Sequence, residues 1–125
     1  MFAIEVQSTF SASHQLRLPN HTLEPLHGHN FHVTVRVESP TLDPLETVMD
    51  FHPLQDALSA ILNQWNNRHL NEISPFDKSI NPTAERIAEH LAHLLIPFIA
   101  RTAPQARLAS IRLTEAPNCT ALYLP

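Results

Sequence analysis

Glycine is nearly missing from this chain: one residue in 125, Gly28, against 11 prolines. That single permissive residue sits between His27 and His29, which marks the segment for attention. Cysteine is equally scarce. With Cys119 alone, an internal disulfide is excluded and nothing points to an oxidising compartment. The residue itself reads as a small core side chain of the last strand region. Charged residues make up only 16%, low for a free-standing monomer, which implies surface buried in an oligomer. A formal net charge of -4 and a pI near 6.1 argue against a dedicated nucleic-acid binder. No stretch approaches the roughly 20 apolar residues of a membrane helix. The N-terminal MFAIEVQSTF interposes Glu5 and Gln7 where a signal peptide would be continuously apolar. The expectation is a cytoplasmic protein with neither a membrane nor a nucleic-acid partner.

What the chain has in excess is histidine, nine residues of it. Its length suits one domain, residues 1–125, with a single core. Residues 2–14 alternate, with Phe2, Ile4, Val6, Phe10 and Ala12 on one face, and His14 falls on that apolar set at the strand's end. Residues 17–26 carry two prolines and read as loop. From His27 the alternation resumes, and His27, His29, Phe31, Val33, Val35 and Val37 share a face. The period then changes: Leu54, Ala57, Leu58, Ile61, Leu62 and Trp65 mark a helix with Pro53 in its first turn and Asn66-Asn67 at its end. Residues 68–81 read as loop. A second helix begins near Pro82 with Ile87, Ala88, Leu91, Leu94 and Leu95 on one face, and Pro97 is expected to kink or end it. Two short strands follow, around Leu108–Leu113 and Leu122, joined by an Ala116-Pro117-Asn118 turn. The expected architecture is α+β: a four-stranded antiparallel sheet with two helices on one face, in the order β-β-α-α-β-β.

Two histidines two apart on a strand project from one face. Zinc takes neutral imidazole nitrogens in a tetrahedral arrangement, and His27 and His29 could supply two adjacent corners. On its own the pair also fits a half-buried polar couple with no metal. His14 is placed to be a third ligand if the first two strands pair antiparallel. Three protein ligands leave one position open, as catalytic zinc sites do. His32 lies on the opposite face, His52 in a helix's first turn, His21 in a loop, and His90 and His93 read as solvated helix positions.

Several motifs in order resemble one family: FSASHQL around His14, LHGHNFHVTV, VMDF at 48–51, HLN at 69–71, PTAE at 82–85 and LTE at 113–115. Together they resemble the 6-pyruvoyl-tetrahydropterin synthase family, which includes the 6-carboxytetrahydropterin synthases. The resemblance implies the tunnelling fold, a zinc ion on His14, His27 and His29, and a homohexamer built as a dimer of trimers. It also implies 7,8-dihydroneopterin triphosphate as substrate, with Glu115 gripping the pterin ring. A carboxylate suits that task because it accepts two parallel N–H bonds. Glu85 matches a second acidic position near the pterin, and reads equally as a first-turn glutamate favouring the helix dipole.

The chain departs from the family pattern twice. No cysteine precedes the HGH; Glu24 stands there in an E-x-x-H-G-H arrangement, resembling a subgroup with glutamate in the cysteine's place. Its implied product is 6-hydroxymethyl-7,8-dihydropterin, with Glu24 as general base. Asn66 and Asn67 occupy the positions of an Asp-His pair, and an asparagine cannot exchange protons near neutral pH. The alternatives are the 6-pyruvoyl or 6-carboxy synthase reaction, or a non-catalytic zinc- and pterin-binding paralogue. Arg17, Arg36, Arg68 and Arg112 are all candidates for the triphosphate.

Overall fold

A computed structural model describes all residues from Met1 to Pro125. Two 13-residue strands, β1 (Phe2–His14) and β2 (His27–Ser39), pair antiparallel along their whole length, from Phe2 opposite Ser39 to His14 opposite His27. The unbroken register follows from the two alternating patterns, since a slip of one residue would turn every valine of β2 outward. Helix α1 (Phe51–Asn63) starts at Asp50, whose side chain accepts the His52 amide, so the aspartate of VMDF is an N-cap. Helix α2 (Ala84–Thr102) starts in the same way, with the Thr83 hydroxyl of PTAE accepting the Arg86 amide.

The sheet has five strands, not the expected four, and is not purely antiparallel. A two-residue strand, β3 (Arg68–His69), lies parallel to β1 inside the segment expected to be loop, and a short 3₁₀ turn (Leu70–Glu72) follows it. Too short to carry a periodicity, β3 is docked by its neighbours. Asn66 Oδ1 accepts the Ser11 amide at 2.9 Å, and the Asn67 amide donates to the Ser11 carbonyl at 2.6 Å. Asn67 has φ 60°, a left-handed conformation that asparagine tolerates. Strands β4 (Arg107–Ala116) and β5 (Cys119–Tyr123) complete the order β3-β1-β2-β4-β5.

Helix α1 packs on β1 and α2 on β4 and β5, leaving the other sheet face without a helical layer. One cluster of 25 buried apolar residues lies between the layers. Pro97 does not end α2, which runs on to Thr102. Pro97 and His93, the residue whose carbonyl it leaves without a donor, are both exposed, on the helix side away from the core. Leu94, expected inside, is 43% exposed, and Ala92 takes the buried position. Trp65 is buried just beyond α1, edge-on to Phe10 at 5.7 Å and stacked on His90 at 6.0 Å. His90 is therefore half-buried among aromatics, not solvated as the sequence suggested.

Candidate metal centre

The end of the β1–β2 ladder places histidines where the core opens to solvent. On the core-facing side, Phe10 stacks on Phe31 at 4.8 Å, the next pair is Ala12 with His29, and the last is His14 with His27. The small Ala12 leaves space for the His29 ring. One ligating atom from each of His14, His27 and His29 lies within 4.8 Å of the others, so the three candidates are brought together.

Hydrogen bonding sets the rings' tautomers. His14 Nδ1 lies 2.8 Å from the Pro82 carbonyl, and His27 Nδ1 lies 2.9 Å from the Pro25 carbonyl. A carbonyl only accepts, so both Nδ1 atoms carry the hydrogen, and in the neutral rings both Nε2 atoms present lone pairs. Those two Nε2 atoms face each other at 2.9 Å. Two acceptors gain nothing from such an approach unless a proton or a cation lies between them. The third ring adds a buried atom with no partner, His29 Nε2. Burial pushes the His29 pKa below the ordinary histidine value; Glu115 opposes the shift, and His14 and His27 reinforce it. A neutral imidazole is the form that binds a metal. The three side chains could hold a metal ion, and carbonyl-bound Nδ1–H groups are the usual outer support of such ligands.

Two carboxylates flank the cluster. Glu115 Oε1 lies 3.4 Å from His14 Nε2 and 3.8 Å from His29 Nε2. It sits at an irregularity in β4, where the register with β5 shifts between Thr114 and Ala116. Such bulges re-aim a side chain, and this one turns Glu115 toward the histidines. Glu24 Oε1 lies 3.9 Å from His27 Nε2 and accepts the Leu16 amide at 2.9 Å. The segment leaving β1 is clamped by side chains. Asn71 bonds both backbone groups of Gln15, its Oδ1 accepting at 2.9 Å and its Nδ2 donating at 2.7 Å. Asn81 does the same for Arg17, at 2.7 and 3.1 Å. The asparagine of HLN is thus a backbone clamp, a role that its motif position alone does not disclose.

Three clefts meet at the cluster. In one, of about 410 Å³, Glu85 joins His14, Glu115, Thr83 and Thr120. Cys119 lines it too, exposed at the start of β5 and not in the core as expected. A second cleft runs from Glu115 past His29, Gly28 and Asn30 to His32. The third contains Ser13, Gly28, His29, Arg68 and His69. His32 and His52 are exposed and stand apart from the three-histidine group, as their positions implied. No helix is long and apolar enough to cross a membrane.

Comparison with known proteins identifies the family. A family model described as 6-pyruvoyl tetrahydropterin synthase matches residues 3–125. The 6-carboxy-5,6,7,8-tetrahydropterin synthase of Rickettsia bellii is 27% identical over 127 residues, covering 88% of this chain and 91% of the relative. The dihydroneopterin monophosphate aldolase of Pyrococcus furiosus is 33% identical over 82 residues, covering 66% of this chain and 64% of the relative. Among solved structures, the Caenorhabditis elegans 6-pyruvoyl tetrahydropterin synthase superposes with a TM-score of 0.78 at 22% identity, covering 99% of this chain and 95% of the other. The Plasmodium falciparum enzyme gives 0.74 at 18% identity, covering 98% and 96%.

Proposed function

Because the chain belongs to the 6-pyruvoyl tetrahydropterin synthase family, we propose that it is a zinc-dependent carbon–carbon lyase. Its substrate on this reading is 7,8-dihydroneopterin triphosphate, and its product 6-hydroxymethyl-7,8-dihydropterin. The observation that carries the reading is the convergence of His14, His27 and His29 between two carboxylates, Glu24 and Glu115. A zinc ion held by the three imidazoles would supply Lewis acidity, lowering the pKa of substrate hydroxyls.

The chain's own residues do the rest. Glu115, with Glu85 in the same cleft, accepts the N–H groups of the pterin ring and sets its orientation. Glu24 takes the proton of the 2′-hydroxyl. The C1′–C2′ bond then breaks, C2′ leaves as an aldehyde bearing the phosphate chain, and the electron pair passes to C1′ and the ring. A proton delivered to C1′ completes the hydroxymethyl product. The Leu16 amide fixes the Glu24 carboxylate beside His27, which gives the base a defined position. The aldolase name of the Pyrococcus furiosus relative supports bond cleavage of this type.

The 6-carboxy synthase names of other relatives favour a second reading, in which the same site forms a carboxytetrahydropterin. The absence of a cysteine before His27 weighs against it. We propose a homohexamer for the assembly. The deciding experiment is incubation of zinc-loaded protein with dihydroneopterin triphosphate and identification of the pterin by mass spectrometry. Hydroxymethyldihydropterin supports the lyase. A carboxylated or pyruvoyl pterin sinks it, and tight binding without turnover points to a non-catalytic paralogue.

A further inference from the structure

On the face of the sheet opposite the core, the residues between those that carry the histidines form a groove. Its floor is a cross-strand row: His69 of β3, Ser13 of β1 and Gly28 of β2 are successive register partners. His69 Nδ1 and Ser13 Oγ share a hydrogen bond of 3.0 Å. Asn30, Asn67 and Arg68 wall the space, which has a volume of about 510 Å³. The groove shares Gly28, His29 and Asn30 with the cleft that reaches Glu115, so the two are continuous past the metal centre.

The two ends of this path differ in charge. The far end holds the Glu115 carboxylate, whereas the groove's lining includes no acidic residue, in a chain with 12 acidic residues and a net charge of -4. It offers hydroxyls, amides, two imidazoles and one guanidinium, a donor set suited to phosphate oxygens.

None of the other seven cations, Lys78 and Arg101 among them, lines this groove, which singles out Arg68. Arg17 is committed to the carbonyls of Ile80 and Phe76, at 3.0 and 2.6 Å. Arg36 pairs with Glu5 and Glu38, Arg107 with Glu38, and Arg86 with Glu89. Arg112, between Thr34 and Leu122 in the sheet, lines none of the three clefts. Arg68 makes one bond, from Nη1 to the Gln64 carbonyl at 3.2 Å, and leaves its other donors free beside the groove.

Gly28 supports the same conclusion. Its φ is not positive, so the backbone does not require glycine, and an added Cβ would meet nothing nearer than the Ala12 carbonyl oxygen at 3.4 Å, an ordinary contact. The chain's lone glycine is needed neither for conformation nor for close packing. What its missing side chain preserves is the open floor of the groove.

We propose that this groove holds the phosphate chain of the substrate, anchored by the Arg68 guanidinium with Ser13 and His69 beside it. The pterin ring then lies at the Glu115 end and the side chain to be cleaved passes the histidines. The assignment rests on the pterin reading given above.

Calorimetric titration of zinc-loaded protein with three probes tests it: dihydroneopterin triphosphate, unphosphorylated dihydroneopterin and inorganic tripolyphosphate. The triphosphate should bind at least roughly tenfold tighter than dihydroneopterin, the lower end of what a hydrogen bond to a charged group contributes. Arg68→Ala should abolish that advantage and tripolyphosphate binding, while dihydroneopterin affinity stays within about twofold, a change too small to reflect a lost charged hydrogen bond. Glu115→Gln should weaken dihydroneopterin and spare tripolyphosphate. An unchanged advantage in Arg68→Ala overturns the proposal and leaves the pterin reading intact. Arg68-dependent tripolyphosphate binding with no affinity for either pterin sinks the pterin reading and supports the groove as an anion site.

Discussion

On the zinc reading proposed above, removing the metal should cost this protein stability by an amount that His29 controls. Without an ion, the site holds two opposed Nε2 lone pairs at 2.9 Å and a buried His29 Nε2 without a partner. Zinc bound only by the folded state adds RT ln(1 + [L]/Kd), about 2.7 kcal/mol at a hundredfold excess over Kd and about 4.1 at a thousandfold. For a domain of this size the melting temperature should rise on the order of 10 °C when zinc replaces a chelator. In His29→Ala the apo protein changes little, because two effects oppose each other. Relief of an unsatisfied buried nitrogen is worth about 1–3 kcal/mol. The lost packing of a large side chain costs a similar amount, on the order of 2 kcal/mol. The zinc-dependent rise, in contrast, should vanish, and bound zinc should fall from about one per subunit to a small fraction. His32→Ala, on the opposite face, should keep both. Thermal unfolding with zinc or with chelator, read alongside elemental analysis, gives both numbers without any assay of turnover. A wild-type melting temperature indifferent to zinc, or a rise that survives His29→Ala, would refute the reasoning.

Glu24→Gln keeps shape and hydrogen-bonding reach but cannot take a proton, so kcat should drop by at least roughly a hundredfold with substrate affinity preserved; unchanged turnover removes Glu24 as base. Glu115→Gln should show the reverse pattern in steady-state kinetics, a raised KM before a lowered kcat, because one acceptor facing the ring becomes a donor. Burial first and His93 second push the His90 pKa down, so the unfolded chain takes up its proton at the higher pH. The stability contributed by neutral His90 should therefore begin to fall as pH drops below about 6.5, with Trp65 fluorescence of the folded protein quenched only at the lower pH where the folded ring gains its proton, and His90→Phe should remove the quenching and shrink the stability loss. Asn71→Ala deletes two part-buried bonds to Gln15 and should cost about 1–3 kcal/mol in chemical denaturation. Light scattering should return a multiple of the 14.1 kDa chain mass, and a monomer would contradict the proposed assembly.

Much of the fold could be read from periodicity because its two longest strands carry one unambiguous pattern each. The expected spans, from residue 2 to 14 and from residue 27 onward, match β1 and β2, and their pairing alone brings His14 opposite His27. What escaped has local causes. Strand β3 is two residues long and is docked by Asn66 and Asn67, so no repeating pattern reports it. These asparagines read as a defect when compared with an Asp-His pair, yet each ties β1 to the turn after α1. Cys119 looked like a core residue because small apolar side chains usually are, but the short β5 ends the sheet and leaves it exposed in a cleft. His90 looked solvated because the aromatic partners that cover it, Trp65 and Phe76, are distant in sequence. The groove on the far side of the sheet could not be anticipated, since its residues come from three strands and a turn and share no spacing.

The chain just past β1 contains its own indicator. The amides of Gln15, Leu16 and Arg17 donate in turn to Asn71, Glu24 and Asn81. Two of these acceptors are neutral side-chain amides, and the middle one is the carboxylate proposed above as the base. On the proposed mechanism, when Glu24 takes the substrate's proton the Leu16 N–H loses a charge-assisted acceptor while its neighbours on either side keep theirs. In a nitrogen–proton correlation spectrum, the Leu16 resonance should then move between two stationary ones. The proton transfer proposed for one side chain at the centre becomes readable from the unmodified backbone, with no residue replaced.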